Sequence, residues 1–242
     1  MSHNYTKIFP YKEIRKEQKQ AIDFGLKTLI ESDKKFCIIE AGTGVGKSAI
    51  GLTLGKYLDD YYCHKFTTDD VDYKPGTYFL TTQRILQEQY EQDFGKPRGS
   101  MKSLYSASNY QCSFKKGNDC RTSLQELKGE KKGSPFFKAC AIGCKYKEKK
   151  KQFLESRQSI TNFPYFILES TYSGKITPRN VLVIDEAHNT ESVLSNFVEM
   201  GISQYFAEKI VKVKWPSKIT PVNFVKWVLT DYYPKLQSQI LH

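Results

Sequence analysis

The stretch Glu40-Ala41-Gly42-Thr43-Gly44-Val45-Gly46-Lys47-Ser48 constrains this chain more than any other. It follows a short apolar run, Phe36-Cys37-Ile38-Ile39, and precedes an apolar-periodic run from Ala49 to Leu58. Strand, glycine-rich turn, helix is the setting that a phosphate-binding loop requires. Glycines let the backbone curl so that successive N–H groups face phosphate oxygens, and the positive end of the following helix adds to that field. Gly42, Thr43, Gly44, Val45 and Gly46 would then cradle the phosphates of ATP. Lys47 would reach the β- and γ-phosphates, and the Ser48 hydroxyl would ligate Mg²⁺. The opening position is Ala41 rather than the usual glycine. A small residue can serve at a strand exit. The bland alternative is a glycine-rich turn that binds nothing, and Gly-Lys-Ser between a strand and a helix disfavours it.

The rest of the chain alternates in the way a parallel α/β sheet demands. Tyr11 to Leu29 has helical periodicity, with Ile14, Ala21, Ile22, Leu26 and Leu29 as its apolar positions. Phe36–Ile39 reads as a first strand, continuous and apolar as a strand buried on both faces would be. Asp59 to Pro75 is polar and reads as a surface loop. Residues 77–82 read as a strand and Arg84 to Phe94 as a helix, with Ile85, Leu86, Gln89 and Tyr90 as landmarks. The pattern breaks at Gly95. From there to about Arg157 no strand pattern is sustained, and cysteines, lysines, glycines and aromatics dominate. Strands resume at Ser159-Ile160-Thr161 and Val181-Leu182-Val183-Ile184. Residues 191–200 and 202–213 have helical periodicity, and Pro221 fits the first turn of a further helix. This alternation predicts a RecA-like parallel sheet interrupted by a cysteine-bearing insertion organised by ligands rather than by a large apolar core. The expected divisions are residues 1–98 and 158–191 for the sheet lobe, 99–157 for the insertion and 192–242 for a helical segment.

Charge enters because it is not evenly spread. The formal net charge is +11, and residues 96–151 hold 15 Lys and Arg against 4 Asp and Glu, so this block carries the whole excess. A basic block interleaved with aromatics suits nucleic acid, although charge alone fits a solvated lysine-rich surface equally well. No apolar run approaches the length of a membrane span, and residues 1–10 lack a signal-peptide core, so an intracellular protein is expected.

Val181–Ile184 runs directly into Asp185-Glu186-Ala187-His188. A strand ending in Asp-Glu is what an ATPase needs opposite its phosphate loop. Asp185 would hold Mg²⁺, and Glu186 would polarise the attacking water. His188 fits a role in linking nucleotide state to a neighbouring lobe, whereas a lone histidine is more often a surface residue.

These residues together resemble a family. Asp-Glu-Ala-His is the second motif of superfamily 2 helicases, and Asp185 to Glu191 is similar to that motif in the XPD/DinG group of iron–sulfur DNA helicases. Glu40 to Ser48 resembles the group's first motif. Arg15-Lys16-Glu17-Gln18 sits where its R-x-x-Q element falls, which implies nucleotide contacts for Arg15 and Gln18; alone, a glutamine on a helix reads as surface. Thr81-Thr82 with Leu86, Gln87 and Gln89 resembles motif Ia, and Asn162 to Leu168 the segment before motif II. The resemblance implies ATP-driven, 5′-to-3′ movement on single-stranded or forked DNA, with repair or replication proteins as possible partners. It also implies a second RecA-like lobe, which this sequence lacks. A truncated or split helicase, inactive or weakly active alone, is therefore expected, with residues 192–242 beginning its helical arch.

Cys112, Cys120, Cys140 and Cys144 lie between motifs Ia and II, separated by 7, 19 and 3 residues. Four thiolates suit a cubane iron–sulfur cluster or a tetrahedral zinc, and only the last pair has the tight spacing of zinc knuckles. The resemblance implies that these four hold a 4Fe–4S cluster. Tyr105, Tyr110, Phe114, Phe136, Phe137, Tyr146 and Phe153 accompany the lysines here. At least half of them should form local core, leaving the others to stack bases. Two other classes compete with the helicase: a zinc-containing nucleic-acid-binding module with a regulatory or vestigial nucleotide site, and an ATPase acting on protein partners.

Overall fold

The computed structural model describes residues 4–32, 34–65, 74–95, 101–199 and 201–240. The chain divides into two compact units, Met1–Phe197 and Val198–His242.

The first unit is built on four strands, β1 (Lys74–Thr81), β2 (Met101–Leu104), β3 (Gln158–Asn162) and β4 (Arg179–Ile184). They are parallel throughout, in the order β2-β3-β1-β4. Phe79 of β1 stands between Ile160 of β3 and Val183 of β4. The helices of this unit are α1 (Lys16–Glu31), α2 (Lys47–Lys65), α3 (Arg84–Phe94), α4 (Cys120–Leu127), α5 (Pro135–Ile142), α6 (Lys145–Glu155), α7 (Phe163–Leu168) and α8 (Thr190–Val198).

Neighbouring side chains on a strand face opposite ways, and Tyr78 and Phe79 show what covers each face. Phe79 packs with Leu52 of α2, Tyr90 and Phe94 of α3, Met101 and Ile160. Tyr78 packs with Leu104, Cys120, Tyr146, Phe153, Tyr165 and Ile176. A third cluster joins Ile22 and Leu26 of α1 to Ile50 and Leu54 of α2 and to Val181. The lysine-rich helix α6 therefore turns Tyr146 and Phe153 inward as an ordinary amphipathic helix does. The cysteine-bearing segment shares the sheet's apolar core, contrary to the expectation of a region organised by ligands.

Several sequence expectations change. Phe36–Ile39 forms no strand, and Phe36 and Ile38 are 86% and 88% exposed. A buried parallel strand needs ladder partners, and β4 pairs only with β1, so its other edge is open among the described residues. Ile39 still packs beside Val183 against the α1–α2 cluster. Helix α1 starts at Lys16, not Tyr11, where the Gln18 side chain accepts the Arg15 N–H at 3.0 Å and closes half of a capping box. Helix α2 continues through Asp59 to Lys65 where a loop was expected, and β1 already includes Pro75 and Gly76; residues 66–73 lie outside the described residues. The reason is tertiary. Asp59 is buried and takes Arg157 Nη2 at 2.6 Å and Nε at 3.0 Å, so a carboxylate that looks like loop is a tie to the segment before β3. Strand β2, read as part of the insertion, pairs in parallel with β3.

Short helices in the cysteine-bearing segment are stopped and started by side chains. Asp119 caps α4 through Thr122 N–H at 2.7 Å. Ser134 caps α5 through Phe137 N–H at 3.2 Å, with Pro135 in the first turn. Asn162 caps α7 through Tyr165 N–H at 2.8 Å.

In the second unit, residues 204–211 are helical and end in a π-type turn, Phe206–Val211, shorter than the expected 202–213. Helix α9 (Pro221–Trp227) passes through another π-type turn into α10 (Tyr233–Ile240). Ala207, Val211, Trp227 and Tyr232 form its core, and the Trp227 indole N–H donates to Lys214 O at 3.0 Å. No helix among the described residues is long and apolar enough to cross a membrane.

Candidate nucleotide-binding site

The glycine-rich loop ends where α2 begins. Lys47 is the first helical residue, and the N–H groups of Ala49 and Ile50 already bond Gly46 O at 3.0 and 3.3 Å. Gly44 and Gly46 have φ values of +80° and +88°, a left-handed backbone that side chains rarely adopt. Helix α1 braces the loop from outside. Arg15 Nη1 donates to Gly44 O at 2.9 Å, and Gln18 Nε2 donates to Val45 O at 2.8 Å. Gln18 is thus buried against the loop and not on the surface. A Cβ added at Gly46 would stand 2.6 Å from Gln18 Nε2. Gly42 and Thr43 form the exposed front of the turn.

Strand β4 delivers the acidic pair to the same place. Its ladder carries on one residue, with Asp185 N–H donating to Leu80 O at 2.8 Å. Asp185 Oδ1 accepts its neighbour's N–H, from Glu186, at 3.0 Å, and Oδ2 accepts the Tyr90 hydroxyl at 3.0 Å. Glu186 then adopts φ 55°, ψ 44°, one of two non-glycine residues with positive φ among those described. That left-handed turn costs energy for a residue with a Cβ. It returns the Glu186 carboxylate to the loop, 3.6 Å from Lys47 Nζ. Lys47 also lies 3.4 Å from Ala41 O. His188 is exposed; its Nδ1 lies 3.2 Å from Glu186 Oε2 and its Nε2 3.0 Å from Asn189.

Lys47, Ser48, Asp185 and Glu186 therefore converge from two elements more than a hundred residues apart in sequence. The arrangement offers one mobile cation for phosphate, a hydroxyl and a carboxylate for a divalent ion, and a second carboxylate poised over the same lysine. Sequence reasoning missed Tyr90, which reads as one more apolar position on α3. Its ring is buried, and burial first, then the negative charge of Asp185, push its phenol far above the ordinary range.

The four cysteines line one cavity of about 370 Å³, between the loop around Cys112, the start of α4, the end of α5 and the start of α6. Cys120 Sγ and Cys144 Sγ are 3.6 Å apart. Burial, followed by Cys144, pushes the Cys120 thiol up to about 12, and burial raises Cys140 as well. Burial also acts on Cys112, but hydrogen bonds from Ser123 and from the N–H groups of Lys115 and Phe114 outweigh it and hold that thiol below its usual value. No set of three or more His, Cys, Asp or Glu among the described residues is arranged to hold a metal ion. The cavity is shared, but the thiols are not gathered around a single point. Of the aromatics in this region, Phe136, Tyr146 and Phe153 are buried, while Phe114 and Phe137 stay exposed. Phe114 stacks on Phe136 at 5.3 Å, with Lys115 Nζ 4.6 Å from the Phe136 ring.

A family model described as "Type III restriction enzyme, res subunit" matches residues 11–212, from just before α1 to just beyond the first helical stretch of the second unit. No curated protein matches the chain.

Proposed function

Because the chain belongs to the type III restriction enzyme res subunit family, we propose that it is the nucleotide-holding lobe of a nucleic-acid-dependent ATPase of the superfamily 2 helicase type. The observation that carries this reading is the meeting of Lys47 with Glu186 at 3.6 Å, beside Asp185 and at the N-terminus of α2. In this reading the loop amides and Lys47 bind the phosphates of ATP. Ser48 and Asp185 would hold Mg²⁺, which would supply charge neutralisation to the phosphates. Glu186 orients the attacking water and accepts its proton. Before nucleotide arrives, Glu186 neutralises Lys47; a bound phosphate competes for the lysine and frees the carboxylate. Arg15 and Gln18 hold the loop's shape through Gly44 O and Val45 O, and His188 steadies Glu186. The test is MgATP binding by calorimetry. Lys47→Ala should weaken it at least tenfold and abolish any hydrolysis, while leaving binding to single-stranded DNA intact. Equal nucleotide affinity in the variant would remove Lys47 from the site.

The finer assignment is to a DNA helicase of the XPD/DinG kind, moving 5′ to 3′ on single strands. It rests on the run of motifs from Arg15 to Glu191 and on the four cysteines. In that assignment Cys112, Cys120, Cys140 and Cys144 would hold a 4Fe–4S cluster in the cavity of about 370 Å³ that they line. Such a cluster would pin α4, α5 and α6 to the loop around Cys112. The 3.6 Å pair Cys120–Cys144 favours the second reading, a zinc ion in a nucleic-acid-binding module. Iron, sulfide and zinc content on protein purified without oxygen separates them: about four irons and four sulfides per chain for the first, one zinc and no sulfide for the second. The basic segment and its exposed Phe114 and Phe137 would bind phosphates and stack bases. Binding that weakens steeply as salt rises supports a nucleic-acid partner; binding indifferent to salt argues against it.

A further inference from the structure

Tyr90 is a buried polar side chain that reaches a carboxylate suited to a divalent cation. Its hydroxyl donates to Asp185 Oδ2 at 3.0 Å. Its ring is 2% exposed and fixed by aromatic neighbours, with Phe94 at 5.6 Å edge-on and Phe79 at 6.1 Å. A buried phenol must satisfy its O–H, yet many backbone carbonyls could have done so. Here the partner is a carboxylate whose other oxygen is already held by Glu186 N–H at 3.0 Å.

We propose that Tyr90 is the positioning residue of the divalent-cation site, setting Asp185 for the metal through the hydrogen bond from its hydroxyl to Oδ2. An aspartate held at both oxygens, by Tyr90 and by the Glu186 N–H, keeps one carboxylate orientation and presents its remaining lone pairs in a fixed direction. Ordering this group in advance lowers the entropy lost when the ion binds. Helix α3 thereby becomes part of the cation site, although none of its residues would touch nucleotide.

This inference rests on the nucleotide-site reading above. The experiment titrates Mg²⁺ against a fixed concentration of fluorescent ATP analogue bound to the full chain, with a parallel measurement in excess chelator. Tyr90→Phe removes only the hydroxyl. It should raise the Mg²⁺ midpoint about tenfold, as the loss of a hydrogen bond to a charged group predicts, and leave metal-free nucleotide binding unchanged. Phe94→Leu perturbs the same aromatic stack without touching the bond from Tyr90 to Asp185; it should lower stability and leave the Mg²⁺ midpoint where it was. An unmoved midpoint in Tyr90→Phe, or equal shifts in both variants, overturns the role of Tyr90 alone. Failure of the wild type to bind nucleotide with or without metal overturns the nucleotide site, and this inference falls with it.

Discussion

Gly55 gives the sharpest test of how α2 is seated on the sheet. Judged by helix propensity alone, Gly55→Ala should stabilise the protein by about 1 kcal/mol, because glycine is a poor residue for a helix interior. The packing points the other way. A Cβ at this position would lie 2.9 Å from Phe79 Cζ and 2.9 Å from Thr77 Cγ2, roughly half an ångström inside ordinary carbon–carbon contact. Neither neighbour can step aside. Phe79 is fully buried beside Tyr90, and Thr77 is held by its hydroxyl, which donates to Gly55 O at 2.8 Å. Overpacking of a rigid core costs about 1–3 kcal/mol, and two immobile contacts put this site in the upper half of that range. The packing cost wins, and the net effect is a loss of about 1–2 kcal/mol. Thermal unfolding followed by circular dichroism should show Tm falling by about 2–8 °C for a chain of this size. Phe79→Leu removes one of the two groups in the way, so the double variant should lose less than the sum of the two single ones. A rise in Tm for Gly55→Ala would refute the close seating of α2 on β1.

Three further outcomes follow from single contacts. Gly46→Ala places a Cβ against Gln18 Nε2 at a φ of +88°; strain of about 1–3 kcal/mol should weaken nucleotide binding, and adding Gln18→Ala should restore only part of it, as calorimetry will read. Arg157→Ala strands the Asp59 carboxylate, whose side chain is 1% exposed. Because Arg157 itself is half exposed, the expected loss is about 2–3 kcal/mol, at the low side of the range for a broken buried pair, and urea unfolding measures it. Glu169 is paired with Lys150 and also held by Ser173; burial raises its pKa, but these bonds outweigh it and the net shift is downward. A depressed carboxylate contributes stability that is present above its unfolded pKa of about 4.3 and lost as pH falls through the lower folded value. Stability measured below about pH 4 should therefore fall less steeply in Glu169→Gln than in the wild type.

The sequence made the glycine-rich turn before α2 and the acidic end of β4 legible because both depend on local spacing. Helix α3 was readable to the residue for the same reason: its apolar face recurs at helical intervals between a polar start and Gly95. What escaped was set by partners distant in sequence. Asp59 and Asp60 look like a loop until Arg157, nearly a hundred residues on, takes both carboxylates. Met101–Leu104 is short and half polar, so only its pairing with β3 makes it a strand. Phe36–Ile39 shows the converse. Its composition suits a strand buried on both faces, but composition supplies no ladder, and the run remains without one. Tyr90 could not be distinguished from an ordinary core tyrosine, because its hydroxyl matters only once Asp185, ninety-five residues on, is brought beside it.

The open side of β4 also bears on how this polypeptide behaves in a tube. β4 is the last strand of the sheet among the described residues, and such an edge, with Leu182 half exposed upon it, can template an added extended segment. Phe36 and Ile38 offer such a segment on every copy. Arg179, buried at the start of β4, is the kind of inward charge with which proteins blunt an edge, but it guards only that end of the strand. Copies of this chain should therefore tend to associate through these stretches. Their solubility should depend on concentration more steeply than a net charge of +11 would suggest, and a lysine placed at Ile38 would act as a gatekeeper against that self-association.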